Sequence, residues 1–180
     1  MPDPRPLVGE PLPLDLLNTR WIDGDHRHDL LETIAGTTIW IESAGVDASC
    51  RPAAIDEKDR RRLCAAREAI ATVAETPDDP HGRQLLNDVL SHGHRVLSLN
   101  EDGPASEVMV DRGWRIPWLA AERYLDLLAR SPDRIRKCRH PRCVLWYLDT
   151  SRSGTRRWCS MTTCGNRAKG NRHYQNRRAR

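Results

Sequence analysis

Leu63, Ala66, Ile70 and Val73 recur at intervals of three and four residues, while Asp59, Arg60, Arg61, Arg67 and Glu68 occupy positions that can face water. That period belongs to a helix with one buried face, and it predicts an element beginning at Ile55-Asp56-Glu57 and stopping before Pro77. After the Pro77-Asp78-Asp79-Pro80 turn, a second amphipathic helix is expected, with Leu85, Leu86, Val89, Leu90, Val96 and Leu97 as its buried set and Gly93 weakening its middle. Earlier, Leu30 to Ala44 carries Leu30, Leu31, Ile34, Ile39, Trp40 and Ile41, with Gly45 placed to end a helix. Trp118 to Arg130 reads as a further helix closed by Pro132, and Glu107-Val108-Met109-Val110 is the one strand candidate between Asn100 and Pro117.

Five prolines among the first thirteen residues predict an extended lead-in. The stretch Leu14 to Ile22 is too short for periodicity to separate strand from helical turn, and Asp23 to Asp29 reads as a charged loop. The expectation is a mainly α domain with little strand over residues 14–133, followed by a small module over 134–180.

Charge divides the chain at the same place. The net +4 of the 180 residues conceals fourteen Lys and Arg against the single acid Asp149 in residues 134–180, a formal +13 beside −9 for the rest. A segment that basic seeks polyanions. The same use of arginine over lysine, 26 against 3, runs through the acidic part, so arginine preference alone does not produce the split. No apolar run approaches the eighteen or so residues of a membrane span, and no cleavable apolar leader follows Met1, so a reducing cytoplasm is the expected compartment.

Cysteine spacing supplies the chemistry. Cys138, Cys143, Cys159 and Cys164 form two C-x4-C pairs separated by fifteen residues, an arrangement in which each pair can turn two sulfurs toward one tetrahedral ion. Four thiolates would fill the shell of one Zn2+ and make it structural. Cys50 and Cys64 lack such partners, and Cys64 is expected as a small buried hydrophobe. Val144 to Leu148 is rich in β-formers, Asp149 to Gly154 has turn composition, and Thr155 to Trp158 can return, so a hairpin is expected between the pairs, ahead of a basic helix. Trp146, Tyr147 and Trp158 are expected as its miniature core, and His140 as an exposed or phosphate-facing side chain.

Cys138-Arg139-His140-Pro141-Arg142-Cys143, Trp146 to Arg152, Arg157-Trp158-Cys159-Ser160-Met161 and Cys164-Gly165-Asn166-Arg167-Ala168-Lys169 resemble the CGNR zinc finger, a treble-clef-like module. Leu14 to Arg20 and Glu42 to Val46 are similar to the ABATE-type domain that precedes such fingers. The resemblance implies a stress-related transcription regulator of bacterial type. Gly170-Asn171 departs from the helix-forming continuation usual after such a motif.

Nucleic-acid contact is expected from Arg152, Arg156 and Arg157 around the hairpin, and from Asn166, Arg167, Lys169, Asn171, Arg172, His173, Arg177 and Arg178 in the final helix and tail. Arginine and lysine suit phosphate, while Asn and Arg can also read adenine and guanine edges. DNA is the expected partner, with RNA or ribosome binding, or docking of an acidic protein, as alternatives. A single finger reads few base pairs, so a homodimer is expected to supply specificity. Asn18, Thr19 and Arg20 are candidates for a small-effector pocket. No Gly-rich phosphate loop, His-Glu-x-x-His sequence or nucleophilic Cys-His arrangement marks an enzyme, and His26-Arg27-His28-Asp29 reads as solvated surface.

Overall fold

The computed structural model describes residues 2–169. Five helices and three separate two-stranded hairpins alternate along it: α1 (Leu12–Leu17), β1 (Arg20–Asp23), β2 (His26–Asp29), α2 (Ile34–Ser43), α3 (Glu57–Glu75), α4 (Pro80–Leu90), β3 (Gly93–Asn100), β4 (Gly103–Val110), α5 (Arg115–Arg130), β5 (Ile135–Lys137) and β6 (Trp146–Leu148). The mainly helical character and small strand content agree with the periodicity, and no helix among the described residues is long and apolar enough to cross a membrane.

Short α1 is the hub. All six of its residues are buried, and it packs against α3, α5 and β6. The stretch that periodicity left open therefore divides, helix to Leu17 and strand from Arg20. The lead-in is also more anchored than its prolines suggest. Arg5 is buried and donates to both the carboxylate and the backbone carbonyl of Asp15, at 2.7 and 2.8 Å. Asp15 in turn accepts from the Trp40 indole and the Gly9 amide, each at 2.9 Å. A buried carboxylate satisfied from three sides fixes an extended segment without secondary structure of its own.

The long helix α3 starts where sequence places it. Asp56 and Asp59 form a reciprocal capping box that satisfies two of the free amides of the first turn. Leu63, Ala66, Ile70 and Val73 are buried as expected. Arg67 is not on the water side, however: it is 2% exposed, and donates to both Asp29 oxygens at 2.6 and 2.7 Å and to the Thr19 hydroxyl at 2.7 Å. Burial pushes the Asp29 carboxyl up, but the bonds and charge of Arg67 outweigh it and hold Asp29 below the ordinary carboxylate range. Helix α2 ends as expected ahead of Gly45, whose φ of +64° lies in the left-handed region that glycine adopts without penalty.

Three further expectations are corrected. The helix drawn through Val96 and Leu97 stops at Leu90; Gly93–Asn100 instead pairs antiparallel with Gly103–Val110, and Gly93 sits so close to Val110 and the Trp118 indole that a Cβ there would come within 2.8 Å of both. Leu97 and Leu99 are consequently about four-fifths exposed. Asp23 to Asp29 is not a loop but the turn and second strand of the hairpin Arg20–Asp29, across whose strands Trp21 stacks on His28 at 4.8 Å between ring centroids. The hairpin of the basic module pairs Ile135–Lys137 with Trp146–Leu148, not residues 144–148 with 155–158.

Strand β6 has β5 on one side, and its outer edge is closed by side chains of the N-terminal part. Asn18 donates to the Trp146 carbonyl and accepts from the Trp146 amide, both at 2.8 Å, so one carboxamide imitates a neighbouring strand. Glu10 accepts from the Leu148 amide at 2.9 Å. Asn18 is fully buried. Replacing it with alanine strands a buried donor and acceptor, and Asn18→Ala is expected to lower the unfolding free energy by about 3 kcal/mol, measured by urea denaturation of the zinc-loaded chain.

Candidate metal centre

The four cysteines come from three different pieces of backbone. Cys138 follows β5, Cys143 precedes β6 at the end of the loop joining those strands, Cys159 ends an extended return segment, and Cys164 lies in a wide helical turn over Met161–Gly165 that leads into helical residues 166–169. The loop 138–143 is tightened by the Cys143 amide donating to the His140 carbonyl at 2.9 Å. His140 is buried, not phosphate-facing; its Nδ1 accepts from the Arg142 amide at 3.2 Å and so holds the turn between the first two sulfurs.

All four sulfurs lie within 4.8 Å of one another, with Cys143 to Cys159 and Cys159 to Cys164 at 3.7 Å. Zn–S bonds of about 2.3 Å at the corners of a tetrahedron place sulfurs about 3.8 Å apart. The donor set and its spacing therefore fit one Zn2+, and all four cysteines are free thiols. Without a cation, the four thiols share their protons unequally. Hydrogen bonds from the Cys143 and Cys159 thiols push Cys138 down to about 2, and the same sharing pushes Cys143 up to about 12. Cys159 is driven upward by its bonds with Cys138 and Cys143, and Cys164 by burial and the charge on Cys138. So close a group releases all its protons only against a cation. With four protein ligands the ion has no open position, and its role is structural.

Arginines hold the remainder of the module. Arg134 donates to the Ser151 carbonyl at 2.8 Å, Arg136 to the Gly154 carbonyl at 3.3 Å, and Arg156 to the carbonyls of Trp158 and Cys159. The Arg156 guanidinium also lies 4.2 Å over the ring of Tyr147, whose hydroxyl donates to the Arg156 carbonyl at 2.6 Å. Tyr147 is fully buried, and burial pushes its hydroxyl up to about 12. Asp149, the module's only acid, is 2% exposed and accepts from Ser151 and from the Arg156 amide. Trp146 and Tyr147 are buried and join the core of the whole chain, while Trp158 is half-buried beside Gly165. Gly165 packs closely there: a Cβ would stand 2.7 Å from Met161 Sδ, so the exposed Met161 side chain would have to shift.

The residues expected to touch nucleic acid separate by these contacts. Arg152, Arg157, Asn166, Arg167 and Lys169 are exposed, whereas Arg156 is half-buried and engaged internally. Asn171, Arg172, His173, Arg177 and Arg178 lie outside the described residues. Exposed Arg139, next to Cys138, belongs to the same cationic surface; its position inside the first cysteine pair was the available signal. Of the effector-pocket candidates, Asn18 is engaged with β6 and Thr19 with Arg67, while Arg20 lines an open cavity together with Arg67. The burial of Arg67 had no sequence signal beyond its place next to Ala66 in the apolar stripe.

Metal removal is expected to dismantle the module. Cys138→Ser and Cys159→Ser should each abolish the single equivalent of zinc detected by a chromophoric chelator after thiol modification, whereas Cys50→Ser and Cys64→Ser should retain it. Chelation of the intact chain should also remove near-ultraviolet circular dichroism from Trp146 and Tyr147, because binding and folding free energy are one quantity in so small a metal module.

Comparison with known families accords with this geometry. No curated protein matches the chain. The family model of the CGNR zinc finger matches residues 134–177, the segment that holds all four sulfurs. A second model, ABATE, described as "Putative stress-induced transcription regulator", matches residues 10–131, more than half of the chain. The chain belongs to the ABATE family and carries a CGNR zinc finger at its C-terminal side.

Proposed function

We propose that the protein is a DNA-binding transcription regulator in the cytoplasm, in which the zinc module grips DNA and the N-terminal part senses a small molecule or partner. One observation carries the reading: the module's sole carboxylate is turned inward, so its charged surface is entirely cationic. Asp149 is buried in bonds to its own loop, while Arg139, Arg152, Arg157, Arg167 and Lys169 are exposed. These side chains stand on a backbone fixed by four sulfurs and by Arg134, Arg136 and Arg156.

Such an arrangement divides the labour. The internal arginines and zinc would keep the loop rigid, so the outer cations meet phosphate without first being ordered, which reduces the entropic cost of binding. Phosphate contact needs charge and little geometry, and suits Arg152, Arg157 and Lys169. Asn166 and Arg167, in the helical residues that follow Cys164 and Gly165, have the side-chain types that read adenine and guanine in the major groove. Asn171, Arg172, His173, Arg177 and Arg178 extend the same charge along the sequence. A second copy of the chain would double the short site that one finger can read.

The test is affinity for duplex DNA across a salt series with structured RNA as competitor. Binding should weaken steeply with salt, and the double substitution Arg152→Gln, Arg157→Gln should lower the logarithmic slope by about 2. A slope near zero would exclude phosphate gripping, and preferential displacement by RNA would move the partner class.

A further inference from the structure

A cavity of about 710 Å³ lies where the N-terminal part meets the zinc module. Its walls come from three places: the β1–β2 hairpin with Arg20 and Trp21, helix α3 with Arg60 and Arg67, and the module's own hairpin with Lys137 and Trp146. The volume is that of a site for a drug-sized molecule. Five Lys and Arg side chains line it against three carboxylates. Arg20 is paired with Asp29 and Glu68, Arg67 with Asp29, Arg60 with Glu57 and Lys137 with Glu75, while exposed Arg27 has no ion pair among the described residues, so the lining itself is net cationic.

Arg67 gives the cavity a built polar wall. It is 2% exposed, and its two terminal nitrogens are held by Asp29 and Thr19, yet its Nε has no hydrogen-bond partner. Buried guanidinium N–H groups are seldom left orphaned, since each was hydrogen-bonded to water before burial. With less than 1 Å² of its own surface exposed, that Nε is reached by an acceptor in the cavity only when the neighbouring side chains shift. The remainder of the wall is apolar and aromatic, including both indoles, and suits a flat organic body.

We propose that this junctional cavity is a binding site for a small organic anion with an aromatic body, a carboxylate being the simplest, held by Arg20, Arg67 and Lys137 between Trp21 and Trp146. The proposal rests on the reading of the N-terminal part as a sensor, and gives that reading a place and a ligand class. Coupling to the finger is built in. Lys137 and Glu75, both lining the cavity, are paired with each other and so tie the module to α3. An incoming anion competes with Glu75 for Lys137, one residue from Cys138, and bears on the strand that Asn18 holds.

Calorimetric titration of the zinc-loaded full chain with benzoate, indole-3-acetate and 2-naphthoate tests the site, with indole and inorganic phosphate as probes of ring and charge alone. Saturable one-site binding by at least one carboxylate is expected. Removing one charge-assisted contact by Arg20→Gln or Lys137→Met, at exposed positions, should weaken it by about tenfold, with zinc content and unfolding midpoint retained. Absence of saturable binding by all three carboxylates, or binding unchanged in both variants, would overturn the proposal. DNA affinity measured on the same preparations separates the two readings. Ligand binding without DNA binding would count against the regulator alone, and DNA binding without ligand binding would count against the cavity assignment alone.

Discussion

Four cysteine sulfurs held within 4.8 Å of one another are a constraint that the backbone around them cannot satisfy by packing alone. The β5–β6 hairpin is three residues per strand, and the return segment over 155–158 has no ladder partner. A hairpin that small is marginal in water, so the tetrahedral thiolate site brings together the loop 138–143, the return segment and the turn at Met161–Gly165. The exposed positions of Arg152, Arg157, Arg167 and Lys169 follow from that assembly.

Zinc holds the module together, and a different set of contacts seats it on the rest of the chain. Asn18 and Glu10 bond the outer edge of β6, and Arg142 pairs with Asp25 at 2.6 Å. An open strand edge invites pairing with other chains, and side chains from α1 and the lead-in close this one. Since α1 also packs against α3 and α5, it joins the helical part to β6 by a short, buried path. The cavity bounded by Arg67, Trp21 and Trp146 lies beside that path.

Arginine performs three distinct jobs in one sequence. Arg5 and Arg67 are buried against Asp15 and Asp29 and set the seat of α1 and of the β1–β2 hairpin. Arg134, Arg136 and Arg156 bind backbone carbonyls where the module lacks a ladder. Arg139, Arg152, Arg157 and Arg167 remain outside. The planar fork with five donors suits the first two roles, for which lysine's single ammonium is a poor substitute.

Local features were legible in the chain itself: the 3.6-residue period of α3, the glycine ending α2, the paired cysteines and the basic segment depend on neighbours within a few residues, so spacing alone reveals them. Strand pairing was not legible in this way. Val96 and Leu97 look like the end of an amphipathic helix until Gly103–Val110 pairs with them, and residues 155–158 look like a strand until Ile135–Lys137 takes their place beside β6. Charged side chains showed the same limit, for a sequence reports that Arg67, Arg156 and Asp149 carry charge but not that their partners lie elsewhere in space. Composition determined that the module would be metal-bound and cationic; only the fold decided which cations face outward, because a buried charge is assigned by the partner it finds and not by its place in the chain.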